Sequence, residues 1–237
     1  MRIGQIAASY QQQVRLQVQA RSAGSTGSTG QTSQQNPQVA GQDRAKRANQ
    51  ARLDDATRGL GRAVAVHDGM TAVADALGAA RAAVAVAQDG SRSTADRQQA
   101  QRDFAAAMGA IDKGAKAQRT ALNDPALRST AFDAARVPVL SADRLGSGRG
   151  TGSTTVADLA RLDLTTASSD QLNQAAKVLD AASTQTDARR TAIGAQAGRI
   201  STTVARLQGV QDLLSGGGTG KAPAGGLPPG SLLDLRG

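Results

Sequence analysis

Residues 172–214 read LNQAAKVLDAASTQTDARRTAIGAQAGRISTTVARLQGVQDLL. Their large apolar side chains fall at Leu172, Leu179, Ile193, Ile200, Val204, Leu207 and Leu214, with Ala176, Thr186 and Ala197 between them. Spacings of three and four residues place all of these on one stripe of a helix. Ser168 and Ser169 precede the stripe as caps, and Gly216, Gly217 and Gly218 follow it as a stop. At about 1.5 Å per residue, such a helix is roughly 65 Å long. A helix of that length needs long partners. The stretch therefore predicts an all-α rod, an elongated bundle of long antiparallel helices with coiled-coil-like packing.

Two further stripes supply those partners. Over 43–89, Leu53, Ala56, Leu60, Ala63, His67, Met70, Ala74, Leu77 and Val84 follow the same alternation, with Val66 and Val73 widening the stripe. Over 93–122, Ser93 with Asp96 three residues on forms a capping-box signature. Ala100, Phe104, Met108, Ile111, Ala115 and Leu122 then recur at helical spacing. Leu60, Leu77, Phe104 and Ile111 are the packing anchors expected from these two helices. The connection over 123–167 is expected to be a short irregular segment or a β-hairpin. Val137-Pro138-Val139-Leu140 and the glycines from Gly146 to Gly150 interrupt periodicity there, and Pro138 permits only an edge strand.

The ends read differently. In residues 1–22, Ile3, Ala7, Tyr10, Val14 and Val18 predict a short amphipathic helix that needs a partner to be stable. Residues 23–42 read as a flexible linker, because Ser25-Thr26-Gly27-Ser28-Thr29-Gly30 and the polar run after it bury no face. Residues 215–237, rich in Gly and Pro, read as a disordered tail ending in the short apolar motif Ser231 to Arg236.

Composition restricts the chemistry. There is no Trp, one Tyr and two Phe, so the core must come from Ala, Val, Leu and Ile, which suits helices packed side by side. No cysteine is present, hence no disulfide, thiolate site or cysteine nucleophile. No glutamate is present either, His67 is the lone histidine, and the aspartates are scattered along helices. No catalytic, cofactor-binding or metal-ligating residue is assigned, and no enzyme is expected. Ser215 to Ala222 lacks the first glycine and the final hydroxyl of a phosphate loop. No run approaches the ~18 apolar residues of a membrane span, and the start lacks the apolar core of a cleaved signal peptide.

The formal charge of +9 is concentrated in residues 1–52, where Arg2, Arg15, Arg21, Arg44, Lys46, Arg47 and Arg52 face only Asp43. Without interleaved aromatic residues or a reading motif, this is taken as a solvated basic segment, and nucleic-acid binding is not expected. A basic helical adaptor for nucleic acid or an acidic partner is the alternative it keeps open.

The run Arg190-Thr191-Ala192-Ile193-Gly194-Ala195-Gln196-Ala197-Gly198-Arg199-Ile200 resembles the carboxy-terminal helix of bacterial flagellins. Arg190, Ile193, Gly194, Ala195, Arg199 and Ile200 match that pattern, whereas Gly198 stands where the family usually has Asn. Leu179-Asp180-Ala181-Ala182 upstream and Thr203-Val204 with Leu207 downstream extend the likeness. Arg81 and Gly90 match a landmark of the family's first long helix, and Asp96, Phe104, Ile111 and Asp112 resemble the second. The likeness covers roughly residues 43–214 and omits the family's variable outer domains.

The resemblance implies a self-assembling structural subunit of the extracellular flagellar filament, serving motility and exported without a cleaved signal peptide. Its implied partners are itself, other flagellin subunits, a flagellar export chaperone and hook-associated proteins. A hook–filament junction or minor flagellar protein is the alternative within that class.

Overall fold

A computed structural model describes residues 37–148 and 154–215. The chain divides into two units, residues 1–45 and 46–237. Of the first unit only residues 37–45 are described, as the opening turns of a helix, and the helical architecture is that of the second. The expected helix over 1–22, most of the linker over 23–42 and the tail beyond Ser215 lie outside the described residues.

The class is all-α, with no β-strand among the described residues. Helix α1 runs Pro37–Gln88, α2 Thr94–Asn123, α3 Val156–Leu159 and α4 Ser169–Leu214. Two 3₁₀ turns, Pro125–Leu127 and Ala134–Arg136, lie in the connection. The first helix starts six residues earlier than its stripe, inside the stretch read as linker. Pro37 occupies the first helical position, where a missing N–H costs nothing and φ is already helical.

Helix ends are set locally. Ser93 Oγ accepts from Asp96 N at 3.1 Å while Asp96 Oδ2 accepts from Ser93 N at 3.1 Å, closing the capping box of α2. Ser168 and Gln171 form the same reciprocal pair at the start of α4. Asp124 is extended before Pro125, which ends α2.

On α1 several fully buried positions recur at seven-residue intervals. Ala63, Met70 and Val84 recur with Val66, Val73 and Ala80 between them, all at 0% exposure. His67 and Ala74, expected on the stripe, are only half-buried. The stripe is displaced toward Ala76 and Ala83, because alanines on both flanks make the face ambiguous in sequence alone. The same alanines make α1 long and apolar enough to pass for a membrane span by length and composition, with 44% of that window buried inside the fold.

Side chains from α1 meet α4 in descending order. Asn49 Nδ2 donates to Leu207 O and Gln211 Oε1, both at 2.9 Å; Arg81 Nε pairs with Asp180 Oδ1 at 2.9 Å; Gln88 Nε2 donates to Asn173 Oδ1 at 2.9 Å. The two helices therefore run in opposite directions. Helices α1 and α2 approach closely at Gly69, where a Cβ would lie 2.8 Å from Gln118 N, and at Gly114, where one would lie 2.8 Å from Val73 Cγ2.

Among the described residues the connection from α2 to α4 is irregular. Phe132, Val137, Leu140, Leu145, Val156, Leu159 and Leu164 are all buried. Three glutamines fix its backbone from the helices. Gln118 Nε2 donates to Pro138 O at 3.1 Å and its Oε1 accepts from Leu140 N at 2.7 Å. Gln101 does the same for Leu162 and Leu164, and Gln185 for Ser147 and Gly146. Each side-chain amide thus gives one backbone N–H an acceptor and one backbone carbonyl a donor.

Candidate assembly surface

Each helix presents two faces, and the residues singled out in the sequence divide between them. Leu60, Leu77, Phe104, Ile111, Leu172, Leu179, Ile193, Ile200 and Val204 are all buried. Leu207 and Leu214 are half-buried, and Leu213 beside them is 57% exposed. The inner face is thus filled along most of α4 and opens toward its end.

The residues that carry the family likeness without being apolar behave otherwise. Arg81 is spoken for by Asp180, and Arg190 lies 3.0 Å from Asp187. Ala195 and Arg199 are exposed, and Gly194 is half-buried. A Cβ built at Gly194 or Gly198 would meet nothing within 4 Å. Glycine inside a helix costs roughly 0.5–1 kcal/mol relative to alanine. No contact within the fold requires that cost here.

Ala195 and Gly198 belong to a second, exposed stripe on α4. Thr184, Ala188, Thr191, Ala195, Gly198, Thr202 and Ala205 are exposed at alternating spacings of four and three. Thr184 Oγ1 donates to Asp180 O at 2.9 Å and Thr202 Oγ1 to Gly198 O at 3.0 Å, so both hydroxyls are satisfied by their own helix. The stripe carries no charge. Arg199 and Arg206 flank it, exposed and without an ion-pair partner among the described residues.

Sequence reasoning missed the polar groups that tie α1 to α2 and to the connection after it. Arg62, only 8% exposed, donates from Nε to Ala121 O at 3.3 Å and stacks its guanidinium 5.8 Å from the Phe132 ring centre. Asp55 on α1 accepts from Thr130 Oγ1 at 2.6 Å and from Thr130 N at 3.1 Å, and Ser129 Oγ donates to Asp55 O at 2.7 Å. Burial pushes the Asp55 carboxyl up, but the hydrogen bonds from Thr130, Ser129 and Arg58 outweigh it and hold it below its ordinary value. Nothing local in the sequence signals these bonds, because their partners lie 59 to 75 residues apart.

Among the described residues no group of three or more His and Asp side chains is placed to hold a metal ion. His67 lies 3.9 Å from Asp68, its one acidic neighbour at ion-pair distance among the described residues. No protein-family model and no curated protein matches this sequence.

Proposed function

We propose that the chain is a flagellin-like structural subunit whose long helices pack as an antiparallel, coiled-coil-like bundle and assemble with further subunits into a filament. The observation that carries the reading is the division on α4. Ile193 and Ile200, which match the flagellin pattern, are buried, while Gly194, Ala195 and Arg199, which also match it, face away from the core. A pattern maintained by the fold alone would need only the first group. The outward group serves contacts made after folding.

The reading entails an extracellular filament, export without a cleaved leader, and partners drawn from flagellin and hook-associated proteins. A place at the hook–filament junction, as a minor component, would use the same helices. Electron microscopy of the purified protein, alone and with flagellin seeds, tests the proposal. Filaments, or incorporation at the ends of seeds, are the expected result. A chain that neither polymerises nor adds to seeds at high concentration overturns it.

A further inference from the structure

Beside the turn joining α1 to α2 lies an open groove of about 460 Å³. Ala83 of α1 and Ala100 of α2 are the buried part of its lining, with Ala79, Ala82 and Val86 of α1 and Asp96, Gln99 and Asp103 of α2 more exposed around them. Arg92 also reaches the rim, but it is paired with Asp89 at 3.1 Å. The groove is therefore acidic at its edge and lined by small apolar side chains below. We infer that it receives the outward face of α4 from a second copy of the chain. This rests on the filament reading and goes further by naming the two surfaces that meet.

Charge spacing favours that occupant. Asp96 and Asp103 are seven residues apart on α2, and Arg199 and Arg206 are seven apart on α4. Seven residues of helix advance about 10.5 Å, so both acids and both arginines can register at once. Asp103 accepts one hydrogen bond, from Gln99 Nε2 at 2.8 Å, and has no cationic partner among the described residues. Asp96 accepts from Ser93, and a carboxylate has roughly four acceptor sites, so a guanidinium still finds room. Beside the arginines the α4 face holds Gly198, Thr202 and Ala205, with open space above Gly198. Small residues against an alanine floor let two helix backbones approach closely.

Groove and ridge are different surfaces, so the contact is heterologous. Each copy bound through its groove leaves its own ridge free, and the array grows without closing. Such contacts add up by repetition along the array.

Charge reversal in the full chain tests this. Asp103→Arg spoils the groove, and Arg199→Asp with Arg206→Asp spoils the ridge; all three sites are exposed. Either variant alone should need about tenfold more protein to associate in sedimentation velocity. An equimolar mixture should recover wild-type association at the dimer step, because the unaltered groove of the ridge variant then meets the unaltered ridge of the groove variant. Variants that associate as wild type does overturn the inference and leave the filament reading standing.

A second arm uses the absence of cysteine from the chain. Ala82→Cys and Gly198→Cys chains, mixed and treated with a short bis-maleimide, should give a heterodimer that neither gives alone. Absence of that product overturns the inference. Its presence with a wild type that forms no filaments upholds the pairing and overturns the filament reading.

Discussion

Gly69 and Gly78 stand nine residues apart on α1 and have opposite surroundings. A Cβ at Gly69 would press on backbone atoms of Gln118 at 2.8 and 3.0 Å, whereas one at Gly78 meets nothing within 4 Å. Gly69→Ala should therefore push α2 away from α1 and destabilise by about 1–3 kcal/mol. Gly78→Ala should stabilise by up to about 1 kcal/mol, because only helix propensity changes. Urea unfolding of both variants checks the pair, and equal effects would mean that the helices do not cross at Gly69. A second pair on α4 separates core from outer face. Ile200 is 4% exposed and Thr202 is exposed. Ile200→Asp buries a carboxylate with no partner, on the order of 4 kcal/mol, and should lower Tm by about 10 °C. Thr202→Asp should leave melting unchanged and weaken self-association, since it adds an acid to a face proposed to meet Asp96 and Asp103. Calorimetry with sedimentation on the same samples decides it. Large apolar residues such as Ile200 announce themselves by spacing. The close approach at Gly69 does not, since nothing in Asp68-Gly69-Met70 tells a crossing glycine from an idle one.

Helices α2 and α4 were legible at their starts because capping is local: Ser93 with Asp96 and Ser168 with Gln171 lie within one turn of each other. The start of α1 was obscured by the glutamines and proline around it, and its buried face by alanines on both sides of Met70 and Leu77. The connection was legible only as an interruption of the helices, an irregular segment or a hairpin, because glutamines on α2 and α4 hold it rather than any pattern of its own. Gln118 is the deepest of these, at 0% exposure. Gln118→Leu should leave the Leu140 N–H buried without an acceptor, at about 1–3 kcal/mol, and hydrogen exchange at Leu140 should accelerate while the middle of α4 stays protected. The Asp55 latch to Thr130 adds a pH dependence. Its folded pKa lies below the ordinary 3.8, so the unfolded chain binds the proton first as acid is added. The stabilisation is present above the unfolded pKa and is lost as pH falls through the folded one. Wild type should thus exceed Asp55→Asn in stability near neutral pH, and the gap should narrow below about pH 4. A gap that stays constant into acid would mean that the carboxylate does not hold the connection.

At the scale of the whole chain, two electrostatic effects oppose one another during assembly. The formal charge is +9, so copies repel at a distance. The proposed junction brings Asp96 and Asp103 against Arg199 and Arg206 at contact. These effects respond differently to salt, because screening acts over about 10 Å at 0.1 M and about 3 Å at 1 M. Raising sodium chloride from very low values first removes the long-range repulsion while contact pairs persist, and assembly should become easier. Raising it toward 1 M then weakens the pairs themselves, and assembly should become harder. The protein concentration at which light scattering begins to rise should therefore pass through a minimum near 0.1 M. Sodium chloride is the salt to use, since sulfate also strengthens apolar burial and would mask the second limb. The variant carrying Arg199→Asp and Arg206→Asp should lose that second limb and respond to salt in one direction only. A wild type whose threshold falls steadily with salt would show that apolar contact alone drives assembly, and that the paired charges on α2 and α4 do not meet.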